Sequence, residues 1–126
     1  MNLLANAIEA LSEAATQTDA PLREPQIVIR TQTQPIQSLS STEKATDWAV
    51  IQIGDNGYGM SQNVLEHIFD PFFTTKPVGK GTGLGLSISY KIVVEKHGGQ
   101  LRCVSHPGQG TSFIVEIPLN LKPNQT

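Results

Sequence analysis

Apolar residues near the N-terminal end recur with a helical step. Leu4, Ile8, Leu11 and Ala15 form one stripe, widened by Leu3, Ala7 and Ala14, so residues 2–15 are expected to form a helix. Asn2, Asn6, Glu9 and Glu13 share another face. A polar stretch from Thr16 to Glu24, containing Pro21, ends that pattern. The period then changes to two over Gln26–Thr31, where Ile27 and Ile29 fall together, as a strand requires. Residues 32–46 are rich in Gln, Ser and Thr and contain Pro35, and are expected to be a loose loop without core residues. Alternation resumes at Trp48–Gly54, a second strand able to pair with the first as a hairpin. Asp55-Asn56-Gly57-Tyr58-Gly59 then marks a turn, and Ser61 is suited to cap a short helix over Ser61–Ile68.

Residues 69–83 hold two prolines and three glycines and read as a loop. Leu84, Ile88 and Ile92 restore the helical step, in a helix expected to end at Gly98 after Lys96 and His97. Gln100–Ser105 and Thr111–Pro118 read as strands joined by the turn His106–Gly110, and a polar tail follows Leu119. No internal repeat is present.

A chain of 126 residues is long enough for one domain with its own core. A formal charge of −2 argues against an electrostatic nucleic-acid binder, which carries a basic face. The lone Cys103 excludes an internal disulfide and a thiolate metal cluster. No apolar run approaches the roughly 20 residues that span a bilayer, and no signal segment opens the chain. These features lead to the expectation of a soluble cytoplasmic domain.

The glycines are unevenly placed: four of the eleven, Gly79, Gly81, Gly83 and Gly85, lie within seven residues. In Gly81-Thr82-Gly83-Leu84-Gly85-Leu86-Ser87, backbone N–H groups can approach a phosphate closely, and the following helix offers its positive end. Lys80 is followed by Gly81, so this is not a Walker loop, and no strand leads into it as in a dinucleotide fingerprint. A plain glycine-rich helix cap would look the same. Asp55-x-Gly57-x-Gly59 follows an apolar strand, where a carboxylate can accept a hydrogen bond from an exocyclic amine while the glycines leave room beneath a flat ring. The same residues also suit an ordinary turn. Asn2 and Asn6 sit one helical turn apart, and amide oxygens are hard ligands suited to Mg²⁺; two solvated asparagines are the alternative.

Order and spacing join these elements. Asn2-Leu-Leu-Ala-Asn-Ala-Ile-Glu-Ala10 resembles the N box of the sensor histidine kinases of two-component systems. Asp55–Gly59 resembles their G1 box, Ile68–Lys76 (IFDPFFTTK) their F box, Gly81–Ser87 their G2 box, and Gly108–Phe113 their closing segment. The resemblance covers nearly the whole chain. It implies the ATP-binding catalytic (HATPase, GHKL) domain of these kinases, an α/β sandwich of Bergerat type. In that fold a mixed, mostly antiparallel sheet carries helices on one face. The family pattern begins before the N box, so the resemblance also implies a domain spanning 1–119, truncated at its start, with a tail at 120–126. An exposed apolar patch is then expected beside Leu3, Leu4 and the sheet edge, where a second copy or a partner would sit.

Residue by residue, the resemblance implies that Asn6 coordinates Mg²⁺ with support from Asn2, and that Asp55 receives the adenine amino group while Gly57 and Gly59 make room for the ring. It makes Phe69–Lys80 a lid, with Lys76 and Lys80 as phosphate contacts. Phe72 and Phe73, in a glycine-flanked loop, read as a movable hydrophobic latch, with plain core residues as the alternative. Gly81, Thr82, Gly83, Leu84, Gly85 and Leu86 cradle the phosphates, and Thr111 lies near Asp55. Hydrolytic relatives place a Glu where this chain has Asn2; without that base, slow hydrolysis is expected. The implied function is to bind Mg-ATP and pass its γ-phosphoryl group to a histidine on a separate dimerisation domain, with a response regulator as indirect partner and no nucleic acid. A same-fold ATPase driving conformational change is one alternative. A nucleotide-sensing module without phosphotransfer is another. His67, His97 and His106 lack the acceptor's sequence context, and Cys103 reads as a packed small side chain.

Overall fold

The computed structural model describes residues 2–16, 24–36, 46–73 and 85–119. The first element is helix α1 (Asn2–Thr16), where the apolar stripe predicts it. Strands β1 (Ile27–Ile36) and β2 (Thr46–Asp55) follow, then a short helix α2 (Gln62–Leu65). Helix α3 (Gly85–Lys91) continues as a π-helical turn (Ile92–Lys96) before strands β3 (Gln100–His106) and β4 (Gly110–Pro118). The strands form one sheet in the order β1-β2-β4-β3, and every pairing is antiparallel.

The register explains which side chains reach the core. Ile53 pairs with Phe113, Ile51 with Val115, and both partners of β4 pair with Cys103 and Leu101 of β3. This row faces the helices. Leu101, Phe113 and Val115 are buried there with Ile68 and Val93, and Leu3, Met60, Val64 and Leu86 pack around them. The other sheet face is mixed: it carries Val50, Ile114 and Val104 beside Gln52 and Arg30, and Arg102 is bonded to Glu116 at 2.8 Å.

Three local expectations change. β1 runs on through Pro35 to Ile36, beyond the predicted strand and into the expected loop. Its residues 28–34 are exposed on both sides, so an edge strand here needs no apolar face, and Pro is tolerated at an edge. The predicted Ser61–Ile68 helix is confined to Gln62–Leu65, with Ser61 capping it through the Val64 N–H (3.3 Å). The chain then continues in i→i−3 turns, with His67, Asp70 and Phe73 N–H bonding Val64, His67 and Asp70 carbonyls. The helix expected to run to Gly98 widens at Ile92. His97 Nδ1 approaches the Ile92 carbonyl at 2.8 Å, which places the proton on Nδ1, and Gly99 N–H reaches the Val93 carbonyl.

Near the sheet edge, Ile8 of α1 is 56% exposed and Val28 and Ile29, on opposite faces of β1, are 46% and 55% exposed, whereas Leu3 and Leu4, beside which an apolar patch was expected, are half-buried.

Candidate functional site: Asp55 and the adjoining face of helix α1

Asp55 is the last residue of β2. Its Oδ1 accepts the Gly57 N–H at 2.9 Å, and the N–H of Thr111, its cross-strand partner on β4, bonds the same carboxylate. Burial pushes its pKa above the ordinary aspartate value, and the two N–H groups oppose that shift without cancelling it. The strand thus delivers an ionisable acceptor to the sheet end and holds it there by backbone donors.

The turn after Asp55 is fixed from three sides. Asn56 accepts the Gln26 N–H (2.9 Å) and donates to the Glu24 carbonyl (2.8 Å), tying the turn to the approach to β1. Gly59 has φ +73, and a Cβ there would lie 2.0 Å from the His106 carbonyl oxygen. Gly110 has φ +87, and its Cβ would lie 2.0 Å from the Asp55 carbonyl oxygen. Only glycine fits either position, because both the positive φ and the close backbone approach exclude a side chain. Behind the turn, the buried Ser105 Oγ takes the Met60 N–H (2.8 Å) and contacts the Gly110 carbonyl (3.0 Å) and Thr111 Oγ1 (2.8 Å).

Helix α1 packs against β2 and α3. Ala10 Cβ is 3.5 Å from where a side chain on Gly57 would begin. Asn6 stands one turn before Ala10 on the same face and is half-buried. The N box and the G1 turn are therefore adjacent in space although some fifty positions separate them in sequence. Asn2 is the first residue of α1; nothing of its side chain is described. Glu9 is exposed.

Gly85 and Leu86 open α3; Leu86 packs against the core, and the Gly85 carbonyl accepts Ser89 Oγ at 2.9 Å. Lys76, Lys80, Gly81, Thr82, Gly83 and Leu84 lie outside the described residues. Of the expected latch, Phe73 packs against the core and stacks near His67 (5.7 Å), whereas Phe72 is 71% exposed with φ +67. Phe69 stacks on Tyr90 at 5.3 Å, joining the F-box segment to α3.

The described residues contain no group of three His, Cys, Asp or Glu able to hold a metal alone. The half-buried Asn6 amide offers one hard oxygen donor of the kind Mg²⁺ takes. Burial, and then the nearby Asp55 charge, push the Cys103 thiol up to about 12, which disfavours its thiolate. His67 pairs with Asp70 at 2.9 Å, and His97 caps its own helix turn.

Residues 1–121 match the family described as histidine kinase-, DNA gyrase B-, and HSP90-like ATPase. The chain belongs to this family. Its relatives are sensor kinases. It is 39% identical over 122 residues to the sensor kinase CckA of Brucella abortus, covering 94% of this chain and 12% of that protein. It is 38% identical over all 126 residues to the signal transduction histidine-protein kinase AtoS of Escherichia coli, covering 17% of that protein. Among solved structures it resembles the nucleotide-free catalytic domain of histidine kinase ThkA, with a TM-score of 0.62 and 33% identity. That likeness covers 93% of this chain and 62% of that one. The chain thus spans a small part of the full-length relatives and somewhat less than two thirds of the ThkA domain chain. The sandwich with helices on one sheet face is the fold of this family, as the boxes imply.

The reading of the boxes missed Ser105, Asn56 and Gly110 as parts of the site. The signal for Ser105 was a polar residue placed by alternation on the apolar face of Leu101 and Cys103. Its partners become visible only through the β3–β4 register.

Proposed function

We propose that this chain binds Mg-ATP and presents the γ-phosphoryl group to a histidine on a separate phosphoacceptor domain. The observation that carries this reading is the Asp55 carboxylate at a strand end, held by the Gly57 and Thr111 N–H groups beside the Asn6-bearing helix. A carboxylate in that setting accepts from the exocyclic amine of adenine. Gly57 is buried, and a Cβ there would meet Asp55 Oδ1 at 3.0 Å and Ala10 Cβ at 3.5 Å, so the glycine lets helix α1 pack close against the Asp55 turn. Asn6, with Asn2 one turn earlier, would hold Mg²⁺. The ion would supply charge neutralisation on the phosphates. Gly81–Leu86 with Lys76 and Lys80 would bind the phosphates through backbone N–H groups and point charges.

Phosphotransfer rather than hydrolysis is supported by Asn2, an amide that cannot accept a proton from water. The named relatives, sensor kinases, point the same way. An apolar surface is available to the second domain: Ile88 and Ile92, about one turn apart on α3 and its continuation, are 47% and 43% exposed. The test combines the chain, labelled ATP and a histidine-bearing dimerisation fragment of a related kinase. Label on the fragment supports the reading. Rapid free phosphate without label would replace it with an ATPase.

A further inference from the structure

We infer that Ser105 sets base selectivity by fixing the hydroxyl proton of Thr111. This rests on the adenine-binding reading of Asp55. Ser105 Oγ has three polar neighbours: the Met60 N–H at 2.8 Å, the Gly110 carbonyl at 3.0 Å and Thr111 Oγ1 at 2.8 Å. A serine hydroxyl owns one proton and two lone pairs. The Met60 N–H can only donate, so it takes one lone pair. The Gly110 carbonyl can only accept, so it takes the proton. The remaining lone pair faces Thr111, and that contact is a hydrogen bond only if Thr111 donates. Both residues are buried, 6% and 9% exposed, so water does not compete for these bonds.

The consequence is chemical. With its proton committed to Ser105, Thr111 Oγ1 offers only lone pairs to anything else. Thr111 pairs across the sheet with Asp55, so both side chains lie on the same face at the same level. Asp55, once ionised, is also only an acceptor. The strand ends therefore present acceptors alone, which suits the 6-amino group of adenine, directly or through one water. The 6-oxo group of hypoxanthine or guanine would face lone pairs with no proton to share. Ser105 touches no base itself and acts as a positioning residue.

ATP and ITP share ribose and phosphates and differ only along one base edge, at the 6-substituent and at N1, which carries a proton in ITP, so the change in their Kd ratio on substitution of Ser105 reads recognition of that edge. We would measure both, with Mg²⁺, for the full chain and for Ser105→Ala, Ser105→Thr and Ser105→Cys. Ser105→Ala frees the Thr111 hydroxyl to rotate and donate, so the ATP preference should fall about three- to tenfold, the range of one neutral hydrogen bond. ITP affinity should hold or rise. Ser105→Thr keeps the hydroxyl and should restore the preference. If Ser105→Ala does not fold, Ser105→Cys carries the same expectation, because a thiol is a weak partner of similar size. A preference unchanged in Ser105→Ala or Ser105→Cys, or equal weakening of both nucleotides, overturns the inference and leaves the Asp55 assignment standing. No ATP preference in the unsubstituted chain overturns both.

Discussion

Replacing Asp55 by Asn tests the site at its most specific atom. The carboxylate already serves two backbone donors, Gly57 N–H at 2.9 Å and Thr111 N–H, and would take the adenine amine as a third. Asparagine keeps the shape and exchanges one oxygen for an NH₂. Whichever way the amide turns, that NH₂ opposes either a backbone N–H or the incoming amine. The loss is one charge-assisted hydrogen bond plus a donor–donor contact, about 1.5–3 kcal/mol. At about 1.4 kcal/mol per decade this weakens ATP roughly 10- to 140-fold. Stability should move less. Burial outweighs the two N–H groups in setting the Asp55 pKa, so its ionisation is unfavourable in the folded, nucleotide-free chain. Removing that ionisation offsets the mismatched N–H, and the unfolding free energy should change by less than the binding free energy. Nucleotide titration by calorimetry and urea unfolding measure the two quantities. An ATP Kd within threefold of the unsubstituted chain would refute the adenine assignment. Equal losses of affinity and stability would instead make Asp55 a structural residue.

The remaining expectations are independent of that substitution. The raised Asp55 pKa means its acceptor form is lost at a higher pH than for an ordinary aspartate, 3.8. ATP affinity relative to ITP should therefore fall as pH drops, with a midpoint above that value. The sign for folding is opposite: the Asp55 contribution to stability is full below the ordinary value and is lost as pH rises through the raised one. Gly110→Ala should cost about 3 kcal/mol or more, since a Cβ meets the Asp55 carbonyl oxygen at 2.0 Å and φ is +87; a melting temperature within 2–3 °C, roughly 1 kcal/mol or less, would contradict this. Ile88→Glu on the exposed face of α3 should lower transfer to the phosphoacceptor fragment at least tenfold with ATP Kd unchanged; intact transfer would move the docking face elsewhere. Cys103, with its thiol pushed up to about 12, should resist alkylation at pH 8 until the chain is unfolded, which a mass-spectrometric time course reads directly.

Much of the fold was legible because the core obeys simple periods. Leu101, Phe113 and Val115 alternate as strand residues must, and the α1 stripe predicted its helix to within one residue of the observed end. What failed locally lacked an apolar signal. Gln32, Thr33 and Gln34 belong to an exposed edge strand whose order comes from pairing with β2, and no burial pattern marks such a segment. The π-helical turn was equally silent, since Ile92, Val93 and Val94 satisfy an α-helical pattern as well as a wider one.

The site divides along the same line. Asp55, Gly57 and Gly59 could be read as a constellation because their spacing is local. The contacts that give them chemistry are not local. Thr111 reaches Asp55 through the β2–β4 register, Ala10 reaches Gly57 through the packing of α1, and Ser105 reaches Met60 across forty-five positions. A motif records which residues a chemistry needs, whereas protonation is decided by neighbours that only the sheet register brings together. The assignment of Thr111 as an acceptor follows from a carbonyl, an N–H and a serine that share one proton. That is why base selectivity here is a property of the β3–β4 hairpin as much as of the G1 turn.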